Sequence, residues 1–480
     1  MEFSGLLTTV VFLPFAGAML IALVIKRDRH VRYFVETIAL SELVLGIIVF
    51  VQYDRAGKQY QLVDKITDWI PIGSSKVQYY LAVDGLSAPL VLLTGLLGMA
   101  AVFASRGINH RVREYFIWLL ILQTAVMGVF TAMDFILFFL FWELELVPMY
   151  FLISVWGSGR QEYSAMKFLI FTFLGGAFML VGILALFFSA GINTFDMTDL
   201  PAKIQGGKLI VPATLIFAFF FIAFAVKLPV WPLHTWLPDA HTDAPTAVSV
   251  MLAGVLLKMG GYGMVRVSAG MFPDVLVGAA GGLALLGVIN VLYGAVVTLR
   301  QTDLKRLIAF SSVSHMGYVL IGISSVAGVA GTVSPVGLTG ASMQMFTHGT
   351  ITGLLFLVVG FVYDKAHTRY IPDLGGLATR MPVLAATFLF AGLASLGLPG
   401  TSGFVSEILV FLGAFPVWSL ATTIGAFGIV ITHVSMQKIG TSAVQSRATG
   451  GVRNGTYLFA LPGSTGAVKD GWDRILAHQL

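Results

Sequence analysis

Apolar runs long enough to cross a hydrocarbon core of about 30 Å recur along the chain. They fall at roughly 6–25, 32–51, 85–105, 115–132, 134–156, 165–190, 209–238, 244–265, 276–298, 306–327, 337–362, 382–414 and 417–432. Polar residues gather between them, so the pattern predicts an all-α, polytopic transmembrane helix bundle of about 13 spans. At about 1.5 Å per residue, the seventh run (209–238) and the twelfth (382–414) are too long for one straight helix. Pro229 and Pro232 interrupt the first and Pro399 the second. Each removes a backbone donor and disfavours a helical residue before it, so both runs are expected to break into half-helices. Freed backbone groups at that depth are tolerated only inside protein or along a wet cavity. Breaks five spans apart fit two copies of a five-helix unit, 111–266 and 267–432, after an N-terminal segment 1–110. An odd number of helices per unit makes the repeat inverted. From His433 the chain turns polar and Gly-rich, so 433–480 reads as an aberrant tail, the mark of an altered reading frame, and the thirteenth run as cut short.

Composition agrees with the pattern. Hydrophobic residues make up 57% and charged ones 11%, against about a quarter charged in soluble domains. The net charge of +5 resides in loops, with no basic block interleaved with aromatics, which argues against nucleic acid. With no cysteine, the chain can hold no disulfide, zinc–thiolate site, iron–sulfur cluster or cysteine nucleophile, so any redox chemistry sits elsewhere. Residues 6–25 lack a basic leader and a small-residue cleavage pattern, and read as a retained helix. Basic residues concentrate in loops after odd-numbered runs, which puts the N-terminus outside and loops 106–114 and 300–306 in the cytoplasm.

Charges inside apolar runs are the candidate chemistry. A lysine at bilayer depth costs about 2.5–3.5 kcal/mol even on the mildest scale, and successive runs carry Lys227 and Lys258. Glu143, near the middle of the fifth run, is the expected partner of Lys227; the plainer reading of that pair is a static salt bridge. Glu145, two residues on, should face away, at an interface or headgroup level. Lys258 has no carboxylate on its own run and sits beside Gly260 and Gly261, where helices can approach closely. A lysine can release a proton where an arginine cannot, so Lys258 fits a relay. His315 and His348, among Ser311, Ser312, Ser314, Thr347, Thr350 and Thr352, fit a hydroxyl-and-water proton wire; as metal ligands two histidines are too few. Glu407 follows the Pro399 break with no lysine after it. His234, Asp239 and His241 fall in the loop after the seventh helix, read as a solvated loop or a proton entrance. No phosphate-binding loop, hydrolytic triad or dinucleotide fingerprint is present.

The segments WELELVPMYFLI (142–153), VKLPVWPLHTWLPDAHTDAPTAVSVMLAGVLLKMGGYG (226–263), DLKRLIAFSSVSHMGYVLIG (303–322), SMQMFTHG (342–349) and LPGTSGFVSE (398–407) resemble the antiporter-like proton-pumping membrane subunits of respiratory complex I, of the M type. The resemblance implies fourteen helices, two inverted five-helix repeats and one proton channel. It implies that Glu143 and Lys227 are a controlling pair, Lys258 the central relay, His315 and His348 the connecting groups, and Glu407 the exit-side residue. The implied activity is that of a translocase, an NADH:quinone oxidoreductase whose NADH, FMN, iron–sulfur clusters and quinone lie in partner subunits, with L-like and N-like subunits as neighbours in a bacterial cytoplasmic or equivalent energy-transducing membrane. A subunit of a Mrp-type sodium/proton antiporter and a non-pumping structural spacer are the alternatives.

Overall fold

The computed structural model describes residues 2–72, 75–189, 194–206, 208–328, 335–429, 431, 449–453 and 456–460. The chain is mostly helical (77%), and the described residues include 10 helices long and apolar enough to span a membrane, with shorter apolar ones beside them.

Strand β1 (Glu2–Phe3) leads into α1 (Leu6–Leu23) and α2 (Asp28–Gln52). A hairpin follows, β2 (Gln61–Ile72) and β3 (Ser75–Val83), then α3 (Ser87–Ala104), α4 (Val112–Thr131), α5 (Phe135–Leu144), α6 (Leu146–Trp156) and α7 (Gln161–Phe187). After the short α8 (Leu200–Gly206) come α9 (Ala213–Lys227), within the seventh apolar run, and α10 (Trp236–Asp243), which starts at that run's end. The next span joins α11 (Thr246–Met251) and α12 (Leu257–Gly263) through a π-helical stretch, Leu252–Leu256, and ends in a second one, Met264–Ala269. Then come α13 (Pro273–Leu299), α14 (Leu304–Ser324), α15 (Pro335–Ala366), α16 (Leu377–Arg380), α17 (Pro382–Ser395), α18 (Ser402–Ala414) and α19 (Ser419–Ile429).

Both expected breaks are present. Helix α9 stops at Lys227 and α10 begins at Trp236, with Pro229 and Pro232 between them. Helix α17 stops at Ser395 and α18 begins at Ser402, across Pro399 and two glycines of positive φ, Gly397 and Gly400. The expected tail falls outside the described residues, except for a short antiparallel pair, β4 (Thr449–Arg453) and β5 (Thr456–Ala460).

One end of the helical bundle also carries a small sheet, in which β1, β2 and β3 pair antiparallel, with Glu2 facing Lys65 and Lys65 facing Tyr80. Residues 52–84 lie between spanning runs; within them Val77, Tyr79, Leu81 and Val83 join one buried cluster while Tyr80 and Ala82 join another, the period of two of a strand. The sheet is tied down by acids. Asp64 accepts from the amides of Gly5 (2.6 Å) and Thr8 (2.8 Å) and so caps α1, where the helix dipole favours an anion. Asp134 accepts from the amides of Gln78, Ile136 and Leu137, joining β3 to the start of α5. Asp84 pairs with Arg266 at 2.6 Å and so fixes the sheet's exit to the second π-helical stretch.

Burial sorts the spans. The α14 span is buried along its whole scored length and Thr246–Ala269 over 94% of it, whereas α1, α2 and α7 are buried over 33–39%. The two spans at the centre carry Lys258 and His315.

Breaking a buried ion pair costs about 3–5 kcal/mol and a partly exposed one about 0–1 kcal/mol. Arg266→Met should therefore lower the thermal midpoint of the purified complex far more than Lys65→Ala, whose side chain is 26% exposed in its pair with Asp196. Burial pushes the Asp84 carboxyl up, but Arg266 and Ser87 outweigh it and hold the group below the usual carboxylate range. Its contribution is then present above the unfolded-state pKa and lost as pH falls through the lowered one, so the gap between the two variants should close in acid.

Candidate functional site

The centre of the molecule holds a line of buried ionisable groups. Lys258 Nζ lies 2.7 Å from Nδ1 of His348 and also donates to the carbonyl of Ala253, in the π-helical stretch before it. Such widened turns collect at functional sites because they displace backbone groups from the regular ladder. The His348 and His315 rings are 5.5 Å apart between centroids. His315 Nδ1 lies 3.5 Å from Oε1 of Glu407, and its Nε2 lies 3.2 Å from the Ser395 hydroxyl. A cavity of about 10 Å³ opens among His315, His348, Gln344, Ser395 and Glu407, enough for one water. The structure therefore brings together Lys258, His348, His315 and Glu407, from α12, α15, α14 and α18.

Hydroxyl and amide groups line the same path. Gln344 Nε2 stands 3.4 Å from His315 Nδ1, Ser406 donates to Gln344 Oε1, and Thr347 and Ser406 are 3.0 Å apart. Gly397, at φ +66° on the break, lies against Glu407 Oε2, so the left-handed turn and the space beside the carboxyl are both available because this residue lacks a side chain. The sequence reading missed Gln344 and Ser395; their positions one turn before His348 and at the last residue of α17 were the available signal.

Lys227, at the end of α9, is also buried, and here the expected contact is corrected. Its ammonium is paired with Glu145, not with Glu143. Glu145 is fully buried, so the expectation of an interface or headgroup position is corrected too. The cause is local. Pro148 has no N–H to give the carbonyl of Leu144, so the span divides at Glu145 into α5 and α6, and the ideal-helix angle between residues 143 and 145 no longer applies. Glu143 sits within electrostatic range of Lys227 and Glu145, and its Oε1 is buried without a hydrogen-bond partner. It fits against α7 because Gly176 leaves the space its carboxyl occupies.

The segment after the first break is packed into the protein. His234 is buried with its ring 4.9 Å from that of Tyr293, and His241 is fully buried and stacked at 4.5 Å on Phe356 with neither ring nitrogen bonded. Asp239 pairs with Lys167 at 2.7 Å and lies 3.8 Å from Arg306. The solvated-loop reading is thus corrected, because α10 is a half-helix whose polar residues turn inward. His241 is in electrostatic range of both Lys258 and Lys305. Lys305, buried and bonded to the carbonyl of Ala244 at 2.6 Å, lines a cavity of about 220 Å³ together with Asp243, Trp156 and Arg369. Among the described residues no group of three or more His, Cys, Asp or Glu side chains is placed to hold a metal ion.

Two broken helices, each beside buried ionisable groups, define an antiporter-like membrane protein. The comparisons agree: residues 132–432 match the membrane-domain family described as NADH:quinone oxidoreductase/Mrp antiporter, and the chain belongs to it. It is 44% identical to NAD(P)H-quinone oxidoreductase chain 4 2 of Thermosynechococcus vestitus, over 89% of this chain and 80% of that one. It is 46% identical to chain 4 1 of Synechococcus elongatus, over 85% and 74%. A chain of respiratory complex I from Thermus thermophilus superposes with a TM-score of 0.79 at 28% identity, covering 90% of this chain and 88% of that one. A chain of the Mrp complex from Dietzia shares the fold, with a TM-score of 0.80 at 24% identity over 94% and 81%.

Glu145→Gln should strand the Lys227 ammonium and cost about 3–5 kcal/mol, read as loss of the subunit from the membrane. Glu143→Gln breaks no ion pair and should leave the subunit at its normal level. The reverse ranking, measured by quantitative immunoblot of membranes, contradicts the pairing.

Proposed function

We propose that this chain is a proton-translocating membrane-arm subunit of an NADH:quinone oxidoreductase, moving protons outward under the drive of redox chemistry in partner chains. One observation carries the reading: the buried line Lys258–His348–His315–Glu407, in which each group can take up and release a proton. The names of the 44–46% identical relatives support the NAD(P)H:quinone oxidoreductase setting over a Mrp-type antiporter, whose solved chain is 24% identical. NADH, FMN, iron–sulfur clusters and quinone then belong to partner subunits, and L-like and N-like subunits are the neighbours in the membrane. The N-terminus faces outside, and the two broken helices belong to two inverted repeats.

In this reading each residue has a task. The Lys258 ammonium donates to Nδ1 of His348 at 2.7 Å, leaving the proton on Nε2 as the one to pass on. The gap to His315 is within reach of one water in the small cavity, and His315 hands on to Glu407 across 3.5 Å. Glu407 releases toward the outside. Refilling of Lys258 runs from the larger cavity through Lys305 and His241, with His234 and Asp239 lining the approach on the same half-helix. The Lys227–Glu145 pair and the nearby Glu143 set the field at Lys258. Gly260 makes that coupling short: a Cβ there would stand 2.5 Å from the amide nitrogen of Leu228.

Lys258→Arg keeps the charge and cannot deprotonate, so proton pumping by the assembled complex should fall at least tenfold in this subunit's share; retained pumping would make Lys258 a fixed charge. Glu407→Gln should block the same share and Glu407→Asp retain a substantial part, measured as proton uptake by vesicles during quinone reduction. Normal translocation by the Gln variant ends the exit assignment. Sodium/proton exchange in vesicles lacking every redox subunit would overturn the whole reading in favour of an antiporter.

A further inference from the structure

Helices α2, α3 and α4 hold a buried acid that the Lys258–Glu407 line does not use. Glu42 stands near the middle of α2, which runs Asp28–Gln52: 42 − 28 = 14 residues, or about 21 Å, from its start. It is fully buried, and neither carboxyl oxygen has a hydrogen-bond partner. On α4, Gln123 and Thr124 are also buried, and both amide atoms and the Thr124 hydroxyl are likewise without partners.

These three residues share one level of the bundle. A Cβ on Gly17 of α1 would lie 3.3 Å from Ile38 and 3.4 Å from Leu120, so those two stand side by side. Helices α2 and α4 run in the same direction, separated by the returning α3, and one turn further on each brings Glu42 level with Gln123 and Thr124. Helix α3 meets both from one face: a Cβ on Gly95 would lie 2.9 Å from the Glu42 carbonyl oxygen, and one on Gly98 would lie 2.5 Å from the Gln123 amide nitrogen.

Among the described residues of α1–α4, no counter-charge reaches this level. Helices α1 and α3 carry no charged residue. On α2 and α4 the nearest cations are Arg32 and Arg113, each ten residues before Glu42 and Gln123 (42 − 32 and 123 − 113), and both bond loop or helix-end carbonyls. Glu36 is paired with Arg106 and Glu114 with Arg111. An isolated carboxylate there is too costly to keep ionised, and a neutral acid, an amide and a hydroxyl at one level still need hydrogen-bond partners. Water can satisfy all three, and a proton on Glu42 can supply the charge balance.

We propose that Glu42, Gln123 and Thr124 form a hydrated proton-binding site in α2–α4, separate from the Lys258–Glu407 line. The site stands apart from the pumping reading, and its test reads protonation instead of transport. Infrared spectra of the intact complex are recorded in H2O and D2O, with sodium or potassium as the cation. The proposal expects one protonated-carboxyl band that is missing in Glu42→Gln, shifts in D2O, moves in Gln123→Leu and ignores sodium. An unchanged Glu42→Gln spectrum means an ionised side chain and overturns it. So does a band insensitive to D2O, which marks a dry acid, or one abolished by sodium, which marks a metal-cation site of oxygen donors. Should Glu42→Gln fail to assemble, Gln123→Leu decides: no band shift overturns the proposal.

Discussion

A positive charge held in hydrocarbon must be answered or given up, and this fold answers two lysines in opposite ways. Lys227 meets a carboxylate, Glu145, and is held as half of an ion pair. Among the described residues Lys258 hydrogen-bonds neutral groups, the carbonyl of Ala253 and the imidazole of His348. An ammonium facing an imidazole has somewhere to send its proton; an ammonium facing a carboxylate is anchored by it. The buried centre of the bundle follows from that difference, because the groups that accept from Lys258 need helices deep enough to exclude lipid and polar enough to keep a water. The spans carrying Lys258 and His315 are the most enclosed, and the π-helical turn before Lys258 supplies the carbonyl it leans on.

The breaks in the two overlong runs make the rest possible. Lys227 is the last residue of one half-helix, and Glu407 lies in the half-helix after the other break, opposite Gly397. Outside this centre the protein is tied together by acids on the sheet side, where Asp64 caps α1 and Asp84 grips Arg266. That grip connects the sheet, through the second π-helical stretch, to the same span that carries Lys258.

Much of this was legible because its causes are local. Pro229, Pro232 and Pro399 break helices by their own chemistry, whatever surrounds them, and the structure breaks where they stand. Lys258, His315, His348 and Glu407 were visible as charges in apolar runs, and they lie in one line. The partner of Lys227 was not legible from ideal periodicity, since two residues on a regular helix point apart; Pro148 was the sign that the helix is not regular there. The burial of His234 and His241 was hidden for a different reason. Their segment is polar by composition, and only tertiary packing against Tyr293 and Phe356 turns the rings inward. The hairpin was not legible because Val77–Val83 is too short to span a membrane and, with both faces of β3 buried, shows no apolar–polar alternation.

The central claim is that protons pass along Lys258, His348, His315 and Glu407. The most direct test is the number of protons moved per electron by an otherwise intact complex carrying His348→Leu, in sealed vesicles. The substitution removes the imidazole that links Lys258 to the rest of the line and disturbs no described ion pair. The account predicts normal assembly and a proton-to-electron ratio lowered by this subunit's contribution; an unchanged ratio in the assembled variant contradicts it.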